Sequence, residues 1–233
     1  MVIPNRMCHP LSVLGVLLLL STTVLTVPAQ ADLEIGDNLQ YTYDFTCITN
    51  NNAIDAAVGE AQLSVIVSAD QLTDQWARFT FYNAGPEPSS IKGVYFYDGA
   101  LLGNDDVTLA SSSGVSFAAG ADPAHLPGYS ESATRVFAAD ADPPPPKNGV
   151  QEAEWLEVLF DLAEGKTFAD VLGSINRGFA DGYVAGASLV IGVHVIAFTG
   201  GGSESFIMVP VPGAALLGFL GFGWAGLKLR KRV

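Results

Sequence analysis

Few side chains in this 233-residue chain could carry chemistry, and they are scattered. His125 lies in the turn-rich stretch His125-Leu-Pro127-Gly128 and reads as a loop residue facing solvent. His194 alternates with Val190, Gly192, Ile196 and Phe198, which points it into an apolar layer. There it is a hydrogen-bonded core histidine, with a metal ligand or general base as the alternative. Cys47 closes the alternating run Leu39, Tyr41, Tyr43, Phe45 and so falls on a buried strand face as a small apolar residue. Nucleophilic use of its thiol would need a base beside it. The chain contains no Gly-x-Ser-x-Gly, His-Glu-x-x-His or Cys-x-x-Cys pattern. The run Gly200-Gly-Gly202 shares only its glycine content with a phosphate loop, since no lysine or helix follows, and it reads as a hairpin turn.

Carboxylates are the more numerous candidates. Asp98 with Asn104, Asp105 and Asp106, and separately Asp140 with Asp142, fall between expected strands. Loop oxygens of this kind can hold calcium, which takes about six to eight hard ligands. Neither group follows the spacing of a helix–loop–helix calcium site, so solvated acidic loops are the default and structural calcium the alternative. No other cofactor is implied. Trp76, Tyr82 and Tyr95 could stack on carbohydrate, against the plainer reading of cross-strand packing. With no catalytic set legible, the chain reads as a protein that is not an enzyme.

The ends carry a different kind of information. Arg6, an apolar run from Leu11 to Leu20, and Ala29-Gln30-Ala31 have the form of a secretory signal peptide over residues 1–31, cut after Ala31. At the other end, Val209-Pro210-Val211-Pro212 leads into an uncharged glycine-rich run, 213–227, followed by Lys228, Arg230, Lys231 and Arg232. From Val209 to Leu227 the chain is long enough for a transmembrane helix, and the basic stop at 228–233 places the C-terminus in the cytoplasm. Between the ends, residues 32–212 hold six basic side chains against 24 acidic ones, a formal charge of 6 − 24 = −18. So acidic a surface argues against nucleic acid as a partner, because phosphate neutralisation needs clustered cations. A single cysteine there excludes an internal disulfide.

The elements between 32 and 208 are read from periodicity. Alternation over 39–47, 61–67, 76–82 and 91–97 marks half-buried strands, with shorter ones at 115–118 and 135–138. Residues 155–162 alternate as a strand, and Leu189–Phe198 is apolar on both faces, as in a central strand. Thr167 with Asp170 has the form of a capping box, and Phe168, Val171, Leu172 and Ile175 fall at helical spacing. Four prolines at 143–146 suit an extended surface crossing. Eight or nine strands with one short helix predict an all-β antiparallel β-sandwich, with a jelly-roll arrangement as its variant.

The tail resembles a PEP-CTERM sorting signal: a short proline motif, a glycine-rich helix and a terminal basic cluster, with Val211 where that family usually has glutamate. The stretches 93–98, 114–117, 126–128, 140–146, 165–170, 192–195 and 201–206 are similar to landmarks of one group of PEP-CTERM exported proteins. The resemblance implies three parts: a signal peptide (1–31), an exported domain (32–208) and a sorting signal (209–233). It implies the secretion machinery, an exosortase-like protease, the membrane and exopolysaccharide as partners. The expected function is that of a non-enzymatic cell-envelope or extracellular-matrix protein, exported and held for a time in the inner membrane. A membrane-anchored adhesin binding carbohydrate or calcium is the alternative.

Overall fold

The structure, a computed structural model, describes residues 39–98, 100–129 and 135–210, without the side chains of 104–106. The expected signal peptide with Ala29 and Ala31 lies outside these residues. So do Val211, Pro212, the candidate span 213–227 and the basic cluster Lys228, Arg230, Lys231 and Arg232.

Strands and helices follow in the order β1 (Leu39–Cys47), α1 (Ala53–Gln62), β2 (Leu63–Ala69), β3 (Trp76–Asn83), β4 (Ser90–Tyr97), β5 (Leu102–Ser111) and β6 (Phe117–Ala119). They continue with β7 (Arg135–Ala141), β8 (Glu154–Leu162), α2 (Phe168–Asp181), β9 (Val190–Ile196) and β10 (Glu204–Pro210). All ten strands among the described residues join one sheet in the order β5-β8-β3-β2-β1-β10-β9-β4-β7-β6. Every pairing is antiparallel.

The sheet is strongly curled. Strands β8 and β4 are six positions apart in the order, which in a flat sheet would be roughly 29 Å. Yet the rings of Phe160 on β8 and Phe96 on β4 meet edge to face at 4.8 Å between centroids. Phe137 on β7 meets Phe160 at 5.5 Å, and Phe79 on β3 meets Phe96 at 5.1 Å. The two edge strands, β5 and β6, are joined by residues 112–116 alone, which confines the edges to within about 20 Å of each other. The result is a half-barrel whose concave face holds the main core, with Val65, Val67, Phe79, Phe81, Val158 and Val193 fully buried.

This corrects the expected fold class. A β-sandwich needs two sheets facing each other; among the described residues one sheet meets itself by curling, and two helices accompany it rather than one. No helix among the described residues is long and apolar enough to cross a membrane.

The helices pack toward opposite ends of the core face of β1. Phe168 and Phe179 of α2 meet Tyr41 and Tyr43 in tilted ring contacts at 6.3 and 5.6 Å between centroids. The expected capping box is present: Thr167 N–H donates to Asp170 Oδ2 at 2.9 Å. Helix α1 lies toward the other end, where Cys47 N–H and Thr46 Oγ1 donate to Glu60 at 2.9 and 3.0 Å. Gly59 lets it approach Phe206, whose ring would stand 2.2 Å from any Cβ placed there.

The outer face of β4, β7, β9 and β10 carries a second apolar cluster of Tyr95, Tyr97, Leu126, Ala138 and Val190. Residues 121–129 are strapped across it. Tyr95 Oη donates to the Pro123 carbonyl at 2.8 Å, and Tyr97 Oη accepts from Leu126 N–H at 2.8 Å. Leu126 packs over Gly192, where a Cβ would meet Leu126 Cδ1 at 2.3 Å. Around Gly192 strand β9 is thereby covered on both faces, as the largely apolar sequence of 189–198 implies.

Candidate functional site

The acidic residues singled out from the sequence do not converge. Asp98 is buried and accepts the N–H groups of Leu101 and Leu102, both at 2.7 Å, so it shapes a turn. Asp105 and Asp106 lie within β5 rather than in a loop. Asp140 pairs in register with Gly93, while Tyr97, next to Asp98, pairs with Arg135 at the other end of the β4–β7 ladder. Asp142 accepts from Ser116 Oγ at 2.6 Å. No group of three or more His, Cys, Asp or Glu among the described residues could hold a metal ion.

Of the sorting-motif residues, Val209 and Pro210 close β10, opposite Asp44 and Tyr43. The ladder therefore runs two residues past the expected domain end. Of the aromatics, Tyr95 is fully buried under the strap and unavailable for stacking on a sugar; Trp76 and Tyr82 are half-buried. His125 is half-buried rather than solvent-facing.

Asp140 belongs instead to a polar cluster around Lys92 on the outer face. The register slips between Ile91 and Gly93 against β9, making Lys92 the extra residue of a bulge, a device that re-aims a side chain. Its Nζ donates to the Asp122 carbonyl and carboxylate at 2.7 and 2.9 Å and lies 3.8 Å from Asp140. Burial pushes the Asp140 carboxyl up, with Lys92 opposing. His194 is half-buried on this outer face, not in the main core, with Nδ1 3.4 Å from Ser205 Oγ. Burial first and Lys92 second hold its pKa below the ordinary value. These contacts tie Asp122, and with it the strap, to the sheet.

A different arrangement surrounds the first turn of α1, which sequence periodicity did not reveal. Asn52 caps the helix, its side chain accepting Ile54 N–H at 2.9 Å. Asp55 stands at the third helical position, where a carboxylate ordinarily reaches back to the N–H of the cap residue. That donor is already taken: Asn52 N–H bonds Glu204 Oε1 at 2.6 Å. Glu204 also accepts Asn51 N–H at 3.0 Å and hydrogen bonds from Thr49 Oγ1 and Cys47 Sγ. Burial pushes the Glu204 carboxyl up, but these hydrogen bonds together outweigh it and hold the group below its usual value. Cys47, on the core face as expected, is half-buried and free, and burial raises its thiol.

Asp55 is left over. It is 2 % exposed, and its Oδ2 is buried without a hydrogen-bond partner. The β9–β10 hairpin presses on it with residues that offer no donor side chain. A Cβ at Gly200 would lie 3.0 Å from both carboxylate oxygens, and one at Gly202 would lie 2.8 Å from Oδ2. Beside this carboxylate opens a cavity of about 330 Å³. Its walls come from α1 (Ile54, Val58), the β3–β4 loop (Glu87, Pro88) and the hairpin (Phe198, Thr199). The β3–β4 wall is fixed by Gln62, whose Nε2 lies 2.9 Å from the Glu87 carbonyl, 2.7 Å from Ser89 Oγ and 3.0 Å from Asn83 Oδ1. The Asn52-x-x-Asp55 spacing was the one signal available in the sequence.

No family model, curated protein or solved structure matches the chain. With no such match, and no membrane-length helix among the described residues, the expectations built on the tail are corrected. Those expectations were an exported cell-envelope or extracellular-matrix protein processed by an exosortase-like protease, and its alternative, a membrane-anchored adhesin. The correction extends to the secretion machinery, exosortase, membrane and exopolysaccharide as partners, and to an envelope or inner-membrane location. In their place stands an all-β domain, a half-barrel sheet with two helices among the described residues.

Proposed function

We propose that this domain is a binding module, not a catalyst, and that it holds an organic cation, an ammonium or guanidinium group on an apolar body, against Asp55. The observation that carries the reading is the buried, unpartnered Oδ2 of Asp55 at the edge of a cavity. A buried acceptor without a partner costs about 1–3 kcal/mol, and a donor brought by a ligand recovers it. The ligand's charge follows from the surroundings. Three of the backbone donors around the α1 N-terminus that would attract an anion are occupied, Ile54 N–H by Asn52 and the Asn51 and Asn52 N–H groups by Glu204. Glu87 adds a second carboxylate at the wall. The apolar side chains of Ile54, Val58, Pro88 and Phe198 suit a carbon-bearing cation better than a metal ion, which needs a shell of oxygens.

Neither His125 nor His194 lines the cavity, which supports binding over acid–base chemistry. Kinship with the PEP-CTERM family is likewise a proposal; it rests on the sequence resemblance and assigns no activity to this domain.

Titration with butylammonium and butylguanidinium, followed by amide NMR shifts, tests the reading. Saturable shifts are expected in residues 52–58 and 198–202. Asp55→Asn, which keeps the shape and loses the charge, should weaken binding about tenfold or more, and butanol should not bind. Absence of saturable shifts in the wild-type protein, or equal binding by Asp55→Asn, refutes it.

A further inference from the structure

The cavity beside Asp55 does not end there. A trough of about 540 Å³ runs on from it along α1, sharing Ile54, Val58 and Glu87 with the cavity. Its floor is a stripe of small residues, Ala53, Ala57 and Ala61, spaced one helical turn apart, and its far wall is the segment Gly85–Glu87. Resting on the cation reading above, we propose that the cation arrives on a peptide. A lysine or arginine side chain enters the Asp55 cavity while two or three neighbouring residues, extended and apolar, lie in the trough.

Three features favour this occupant over a free small amine. The first is length. From Ala53 to Ala61 the helix rises about 12 Å, which matches three to four residues of extended chain. The second is surface. Ile54 is 74 % exposed at the junction of cavity and trough, and the alanines leave room for a backbone to approach the helix closely. A small amine would fill the cavity and leave this apolar stretch uncovered. The third is charge. The chain carries a net −13, and Glu87 stands where cavity and trough join, so a basic segment is drawn to this face and an acidic one repelled. The wall opposite the helix is held by the Gln62 hydrogen bonds before any peptide arrives, which lowers the ordering cost of binding.

The test compares the acetylated, amidated pentapeptide Val-Leu-Arg-Leu-Val with its Arg→Gln counterpart and with butylguanidinium, by calorimetry on the full chain. The arginine peptide should bind at least tenfold more tightly than butylguanidinium, and the glutamine peptide should lose most of that affinity. Ala57→Phe fills the trough at an exposed helix position. It should abolish the peptide's advantage while leaving butylguanidinium affinity within about twofold of wild type. If the peptide binds no more tightly than butylguanidinium, or if Ala57→Phe leaves its advantage intact, the trough proposal fails while the cavity reading stands. If neither compound binds, both fail.

Discussion

Replacing Asp55 by alanine removes a carboxylate that packs against two glycines and leaves Oδ2 unsatisfied. Two contributions of opposite sign decide the outcome. An unpartnered buried acceptor costs about 1–3 kcal/mol, which the substitution recovers. A negative charge in the first turn of a helix contributes about 0.3–1 kcal/mol, which the substitution forfeits. The carboxylate makes no hydrogen bond to the cap, because Glu204 has taken that donor, so the substitution breaks no capping bond. The unliganded variant should therefore be more stable than wild type by about 0.5–2 kcal/mol. That corresponds to a rise of about 2–6 °C in Tm for a domain of this size. Urea unfolding at neutral pH measures it: the midpoint should move up with the slope unchanged. A binding cation should reverse the order, since a ligand at 100 times its Kd stabilises wild type by about 2.7 kcal/mol and has no counterion in the variant. An unliganded Asp55→Ala protein less stable than wild type would refute the reasoning, because it would show that the carboxylate is already satisfied within the fold.

Acid should destabilise the domain in two stages. His194 has a lowered folded pKa, so the unfolded chain takes its proton first. Its contribution is present above the unfolded value of about 6.5 and is lost as pH falls from there toward the folded value. Glu204, also lowered in the fold, contributes above its unfolded value of about 4.3 and is lost as pH falls through the folded one. Asp140, raised by burial, works in the opposite sense and favours the fold on the acid side. In urea melts across pH, His194→Gln should flatten the upper stage; Glu204→Gln should flatten the lower one and cost about 2–3 kcal/mol at pH 7 by leaving backbone donors unmatched. Tyr97→Phe leaves the N–H of buried Leu126 without its acceptor, a cost of about 1–3 kcal/mol. Hydrogen exchange should show residues 121–129 opening faster while β3 and β8 stay protected; uniform protection would refute the strap.

The sequence carried the faces of strands better than their arrangement. Alternation over Ala77, Phe79 and Phe81, or over Leu156, Val158 and Phe160, names the buried side because successive side chains must point oppositely. It says nothing about curvature, so a single sheet curled on itself and two stacked sheets look alike in one dimension. The capping box at Thr167 and Asp170 was legible because both partners are local. Helix α1 was not, since alanines at 53, 57 and 61 give no apolar stripe and Gly59 reads as a breaker until Phe206 is seen against it. The polar run at 104–106 disguised β5 as a loop. The candidate site was the least legible part. Asp55 is an orphan only because Glu204, far along the chain, takes the cap N–H that Asp55 would otherwise accept.

The sheet order has a temporal meaning for the chain. β10 is the last described strand to leave the ribosome, yet it lies between β1, the first described, and β9. Until residues 204–210 emerge, β5-β8-β3-β2-β1 and β9-β4-β7-β6 are separate blocks with open edges where β10 belongs. The β1 edge must wait unpaired from residue 47 to residue 204, through the synthesis of more than half the chain, the state in which strands recruit neighbours from other molecules. Completion comes as a late insertion rather than a gradual accretion. A ribosome stalled just before β10 would hold two half-sheets in search of the same strand.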